Sequence, residues 1–208
     1  MSGDLELYLD IDDDFKHMEL FDTGSSYPEP DDYTNAVRAS VWSGDKIIAY
    51  LECVLFYDMR IAESRYDHVY IADGLTQDTY DAMTLLDEFS LLTVTDENQS
   101  LGELLATDPT VTVYLHHVAV REDFRRNGIG NWLFKNLPMI LQRNYRVFPR
   151  LIITLLTPQT INWNIQRPSF SDLNETVADG EMVRVMTRVL EKNGYKRLND
   201  TWYYVARP

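Results

Sequence analysis

The run Arg125-Arg126-Asn127-Gly128-Ile129-Gly130 carries the residue types that hold an anion. Two glycines one residue apart let the backbone approach a ligand with no Cβ in the way. Where a helix starts, the first-turn N–H groups also lack internal acceptors. Free amide donors, the positive end of a helix dipole and two adjacent arginines suit a phosphate or pyrophosphate. The flanking residues supply that setting. Val113, Leu115, Val118 and Val120 lie in a branched and aromatic run that reads as a strand, while Ile129, Leu133, Leu137, Ile140 and Leu141 recur at helical spacing. Two other glycine cradles are excluded. A P-loop places Lys and Ser or Thr directly after its last glycine, where Asn131-Trp132 stand, and a dinucleotide fold needs a third glycine in G-x-G-x-x-G order.

R-x-x-G-x-G after a strand ending in V-x-V resembles motif A of the GNAT superfamily of acetyl-CoA-dependent N-acetyltransferases. Arg125, Gly128 and Gly130 stand at the signature positions, with Val118 and Val120 at the strand positions. The resemblance implies acetyl-CoA as cosubstrate. Its pyrophosphate would be held by Arg125, Arg126, Asn127, Gly128, Ile129 and Gly130, and its pantetheine arm by backbone groups of Val118, Ala119 and Val120. Leu190 to Leu198, LEKNGYKRL, resembles the closing motif of the same family, a helix ending in an acidic-Lys-x-Gly-aromatic turn. In many relatives a tyrosine precedes that acidic-Lys pair and serves as the acid; here the position is Leu190. Either another tyrosine among Tyr195, Tyr203 and Tyr204 takes the role, or no acid is needed. The resemblance covers residues 111 to 208 well and 1 to 57 only as a compatible strand order.

Acetyl transfer to an amine requires the amine deprotonated, because a lysine-like amine with a pKa near ~10.4 is almost wholly protonated at neutral pH. It also requires a donor for the developing oxyanion. By family resemblance that donor is the backbone N–H of Val118. Strand alternation places Tyr114 and His116 on Val118's face and His117 on the other, unless a bulge intervenes. A neutral imidazole titrates in the useful range, so His116 is the first candidate for the base, with Tyr114 beside it. A histidine hydrogen-bonded within the sheet is the structural alternative.

The remaining elements must position these groups. Leu5 to Ile11 alternates as a half-buried strand, and Ala36 to Trp42 and Lys46 to Tyr57 are strands joined by Ser43-Gly44-Asp45, a hairpin signal. Glu52 interrupts the second of these; alternation turns it outward, the other reading being a carboxylate in a site. Phe15 to Phe21 is a short strand or a helical turn. Asp22 to Asp32, rich in Gly, Ser, Pro and Asp, is loop and a candidate lid. Ala62 to Gly74 stays undecided, and Thr76 to Leu92 has helical periodicity. Leu151 to Leu156, between Pro149 and Pro158, reads as a strand buried on both faces and parallel to the Val113 strand. Residues 158 to 180, with Trp163, Arg167 and Phe170, form a long loop and a candidate substrate wall. Glu181 to Asn193 is an amphipathic helix ended by Gly194, and Thr201 to Ala206 a last strand. The expected fold class is mixed α/β: a mostly antiparallel sheet, one parallel pair splayed at the cofactor site, and helices on both faces. One domain over residues 1 to 208 is expected, elaborated at about 61 to 109.

Composition bounds the function. A length of 208 residues with 45% hydrophobic content supports a real core. The acidic N-terminus lacks the pattern of a signal peptide, and no apolar run approaches a membrane span, so a cytoplasmic location is expected. One cysteine and four histidines show no metal-ligand spacing, and no metal is expected. The net charge of −14 is divided unevenly. Residues 1 to 110 carry 25 acidic against 5 basic side chains, a net of −20, and the rest 8 against 14, a net of +6. A basic half suits a polyanionic cosubstrate. An acidic half repels nucleic acid and draws cations, such as a small amine or a basic peptide or protein acceptor. The other reading is a GNAT-scaffold binding or regulatory protein whose acidic surface engages a basic partner. A homodimer is compatible with either.

Overall fold

The run Lys46–Tyr57 is an interior strand of the sheet, covered on both faces, which explains its nearly continuous apolar character. Leu51, Cys53 and Leu55 are buried on one face, Val54 and Phe56 on the other. The computed structural model describes residues 7–12, 33–92, 109–156, 160–161, 173–174 and 180–208. In these residues the order is β1 (Leu7–Asp12), β2 (Thr34–Ser43), β3 (Lys46–Tyr57), α1 (Asp58–Glu63), α2 (His68–Asp73), α3 (Gln77–Glu88), β4 (Thr110–Val120), α4 (Ile129–Tyr145) and β5 (Phe148–Leu155). There follow β6 (Thr160–Ile161), β7 (Leu173–Asn174), α5 (Gly180–Lys192), β8 (Lys196–Arg197) and β9 (Tyr203–Ala206). Seven strands make one sheet in the order β1-β2-β3-β4-β5-β9-β8, and β6 pairs with β7. Only β4 and β5 run parallel; the other neighbours are antiparallel. The expected fold class is present, a mixed sheet with one parallel pair and helices on both faces.

The β2–β3 hairpin turns at Gly44, whose φ of +60° a glycine adopts without steric cost. On one face of the sheet, Val37, Ala39, Leu51, Val113 and Leu115 pack with Leu133, Leu137 and Leu141 of α4. On the other, Val54, Phe56, Tyr114 and Ile153 pack with Ile61, Ile71, Met83 and Leu86 from α1 to α3. The undecided stretch 62–74 thus closes α1 and forms α2, where Asp67 caps the helix by accepting from the Tyr70 N–H at 2.7 Å.

A buried polar knot fixes this helical insert to the sheet. Asp58 accepts from His68 Nε2 and from Thr112 Oγ1, both at 2.8 Å, and from Arg150 Nε at 3.1 Å. Arg150 reaches it through an irregularity at the start of β5, where Val111 pairs with Pro149 but Thr112 with Leu151. Pro149 therefore lies inside the strand rather than bounding it, at an end position where a missing N–H is tolerated. The segments 15–21 and 22–32, and the residues Trp163, Arg167 and Phe170, lie outside the described residues.

Candidate functional site

β4 and β5 part where the sequence resemblance required it. Their pairing ends at Leu115 and Thr154, although β4 continues to Val120. Past that point β5 keeps β9 as its other neighbour, through Leu155 and Tyr203. The backbone of the last β4 residues therefore has β3 on one side and a gap on the other. The Arg121 N–H donates to Ile48 O of β3 at 2.8 Å, so alternation directs the N–H and C=O of Val120 and Val118 into the gap.

The glycine run follows. Gly128 precedes α4 with φ +81° and ψ 0°, a left-handed conformation, and no side chain caps the helix. The first intrahelical acceptor in use is Gly128 O, which takes the Trp132 N–H at 2.9 Å. The N–H groups of Ile129, Gly130 and Asn131 thus have no partner within the helix. An added Cβ at Gly128 would meet nothing within 4 Å, whereas one at Gly130 would touch Val120 at 3.5 Å. Arg125 folds back to donate from Nε to Val120 O at 3.1 Å, which holds its guanidinium at the mouth of the gap. Arg126 also has a positive φ, of 67°.

These groups line a cleft of about 570 Å³, within the ~300–1,000 Å³ usual for small-molecule sites. Val118, Ala119, Val120, Arg125, Arg126, Gly128, Ile129 and Gly130 all contribute to it. Asn127 sits in the same loop but donates to Phe124 O at 3.3 Å and is not part of the lining. Met182, Val185, Met186 and Val189 form the opposite wall. They come from α5, in which Leu190 alone is buried. The amphipathic stripe read in the sequence therefore faces the cleft as much as the core. Asn193 Nδ2 donates to Asn131 Oδ1 at 3.1 Å, tying the end of α5 to the start of α4. Glu181 is the only carboxylate among the described lining residues.

The expected alternation on β4 is broken. Glu52 pairs with His117 and Cys53 with Leu115, which leaves His116 as the extra residue of a bulge. Val118 and Val120 consequently pack on the α4 face, with Val113 and Leu115. Tyr114 and His116 do not share Val118's face. Tyr114 is buried against the helical insert, its hydroxyl pKa raised by burial, and it does not line the cleft. His116 stacks edge-on against Tyr114 at 4.3 Å, and its Nε2 lies 3.4 Å from Thr79 Oγ1 of α3. Both His116 and His117 contribute to the cleft lining.

One further expectation is corrected, and one of two alternatives is narrowed. Glu52 does not face outward: it is 3% exposed and paired with Arg38 across the β2–β3 ladder. None of Tyr195, Tyr203 and Tyr204 lines the cleft. Tyr195 is buried against Phe134, with its hydroxyl pKa raised by burial, and that of Tyr203 is pushed up to about 12 by burial and by Asp81 and Asp78. Leu190, at the usual tyrosine position, is itself buried and borders the cleft.

Among the described residues, no group of three or more His, Cys, Asp or Glu is arranged to hold a metal ion, and no helix is long and apolar enough to cross a membrane. No protein-family model matches the chain, and no curated protein matches it. Among solved structures, a Desulfovibrio desulfuricans protein provisionally described as an acetyltransferase of the GNAT family aligns with 83% of this chain and 69% of its own, at 11% identity and a TM-score of 0.36. A likeness that weak carries no argument about activity.

Proposed function

We propose that this chain is an acetyl-CoA-dependent N-acetyltransferase acting on a cationic primary amine. The observation that carries the reading is the conjunction at the end of β4. A splayed parallel pair exposes backbone groups of Val118 and Val120 to a cleft, and the uncapped N-terminus of α4 opens into the same cleft. The amides of Ile129 and Gly130, with Arg125 and Arg126, would hold the pyrophosphate. The backbone of Val118 to Val120 would hold the pantetheine arm against the apolar wall of α5, and the Val118 N–H would stabilise the oxyanion. Acetyl-CoA supplies the activated acyl group. The amine forms the new C–N bond, the C–S bond breaks with the electron pair leaving on sulfur, and a base takes the amine proton. The imidazoles of the bulge, His116 and His117, are the groups at hand for that step.

The acidic N-terminal half supports a cationic acceptor, either a small amine or a basic peptide or protein. A second reading rests on Leu190 and on the absence of a tyrosine from the described cleft lining. In it the same fold binds a basic protein partner, with or without CoA, and performs no chemistry.

Titration calorimetry with acetyl-CoA, followed by a thiol-release assay over a panel of cationic amines, decides between them. Binding with turnover supports the transferase. Binding without turnover on small amines or basic peptides favours the binding protein, and no binding at all overturns the assignment of the cradle.

A further inference from the structure

We propose that Glu52 is a positioning residue for acceptor deprotonation, acting through His117 from the interior of the sheet. The inference rests on the acetyltransferase reading and names which of the two bulge histidines is the base.

Arg38, Glu52 and His117 are directly opposite one another on three adjacent strands. Cross-strand partners project to the same face, and in this kind of bulge both residues opposite the single partner do so as well. The contacts agree. His116 meets Tyr114 and Thr79 on the α3 side of the sheet, and the His116 and His117 rings are 6.1 Å apart. Glu52 is therefore the carboxylate behind the bulge, at the point where the parallel pair begins to splay.

The Arg38–Glu52 contact engages one carboxylate oxygen and leaves the other without a donor. A guanidinium that serves only to neutralise a carboxylate commonly makes two parallel bonds, one to each oxygen. Here Arg38 Nε and Nη2 both donate to Oε1 of Glu52. Oε2 is buried and accepts no hydrogen bond among the described residues. A buried carboxylate oxygen left without a donor is costly and calls for a reason. A carboxylate behind an imidazole supplies one: its negative charge favours the imidazolium formed when the ring takes a proton. Burial pushes the Glu52 carboxyl up, and the Arg38 guanidinium beside it works against that shift. In the reaction the acceptor ammonium gives one proton to His117, the free amine attacks the thioester carbon, and the C–S bond breaks as the second nitrogen proton passes to the departing sulfur. His116, engaged with Thr79, is left to pack the bulge.

The other titratable and charged groups on this part of the face are Tyr50, whose ring lies 5.3 Å from the Arg38 guanidinium, with His116, Tyr114 and Tyr203, and Asp78 and Asp81 on α3. The test is built so that they stay constant. The imidazole resonances of the full chain are titrated by NMR in the wild type and in Glu52→Gln, with His117 assigned by its loss in His117→Asn. Removing an adjacent negative charge disfavours the imidazolium, so the His117 midpoint should move to lower pH while that of His116 moves less. An unchanged His117 midpoint overturns the proposal, whatever the fate of the acetyltransferase reading.

Kinetics supply the second arm. Glu52→Gln should lower kcat on the order of 10- to 100-fold with the KM for acetyl-CoA unchanged, and should move the acid limb of the pH–rate profile to lower pH. A fall in kcat with the limb unmoved is what a packing defect gives and counts against the inference. His117→Asn keeps the Arg38–Glu52 pair and should abolish the limb even where Glu52→Gln folds poorly. Retention of the limb in His117→Asn, or its loss in His116→Asn alone, would make His116 the base and overturn the assignment. Failure of the wild type to bind acetyl-CoA would instead sink the acetyltransferase reading, leaving the NMR titration to judge the pair.

Discussion

Arg150 Nε donates to Asp58 Oδ2 at 3.1 Å across 92 residues of sequence, joining the first turn of α1 to the second parallel strand. Asp58 is fully buried and also bonded to His68 and Thr112, while Arg150 Nη1 donates to Leu91 O at 3.0 Å. The knot fastens the α1–α3 insert to the strands that form the cleft. Breaking a buried pair leaves the partner charge uncompensated, at a cost of about 3–5 kcal/mol. Asp58→Ala should therefore lower the stability measured by urea unfolding by about that amount. A loss under about 1 kcal/mol, the level of an exposed pair, would show that the knot does not hold the insert.

The same group predicts a pH dependence. Burial alone would raise the Asp58 carboxyl pKa, but the hydrogen bonds and charges of His68 and Arg150 outweigh it and hold the value below the usual range. With the folded value below the unfolded one, near ~3.9, the stabilisation is present above about pH 4 and is lost as the pH falls through the folded value. The urea midpoint of the wild type should drop more steeply on acidification below about pH 4 than that of Asp58→Asn, in which this site cannot titrate. Parallel curves would assign acid unfolding to other carboxylates.

Cys53 should be inert. Its thiol is buried in β3 and its pKa is raised, first by desolvation and then by the neighbouring Glu52 carboxylate. The thiolate is the reactive form, so an aromatic disulfide reagent should label the native protein no faster than it unfolds and label it at once in denaturant. Rapid labelling of the native state would mean that β3 opens locally.

Gly128 separates backbone strain from occupancy of the cradle. At φ +81° an L-residue costs about 1–2 kcal/mol, yet no atom lies within 4 Å of an added Cβ. Gly128→Ala should fold with that modest loss and still bind acetyl-CoA. Gly128→Glu, which puts an anion where the phosphates would lie, should abolish binding in a folded protein. Unchanged affinity in Gly128→Glu by calorimetry would remove the loop from the site.

Arg125 offers a quieter test of the same loop. Its guanidinium is held at the cleft by Val120 O, and Arg125→Gln should weaken acetyl-CoA binding about tenfold and flatten its salt dependence, as expected on losing one charged hydrogen bond to a phosphate. Equal affinity at low and high salt in the wild type would count against an ionic cradle.

Legibility followed the range over which each signal acts. The strand Thr110–Val120, the helix from Ile129 and the glycine turn between them are encoded within a few residues, by apolar period and by glycine placement. The boundaries of β3 were readable for the same reason. The bulge was not. It inserts His116 without any local mark, because alternation presumes a regular ladder and only pairing with β3 shows where the ladder slips. Glu52 was misread outward because β3 is buried on both faces, a fact that depends on the helical insert covering the second one. The irregularity at Arg150 was equally invisible, since the partner it serves, Asp58, lies 92 residues away in the chain.

By itself, then, the sequence determined the elements and the glycine turn before α4: an apolar period selects strand or helix, and glycine placement marks where the strand gives way to the helix. The tertiary structure alone decided which side chains meet across the sheet. It placed Glu52 behind His117, moved Tyr114 out of the cleft and turned the stripe of α5 into a wall. The physical reason is that register and burial belong to pairs of segments, and a one-residue slip in pairing reverses the face of every residue that follows.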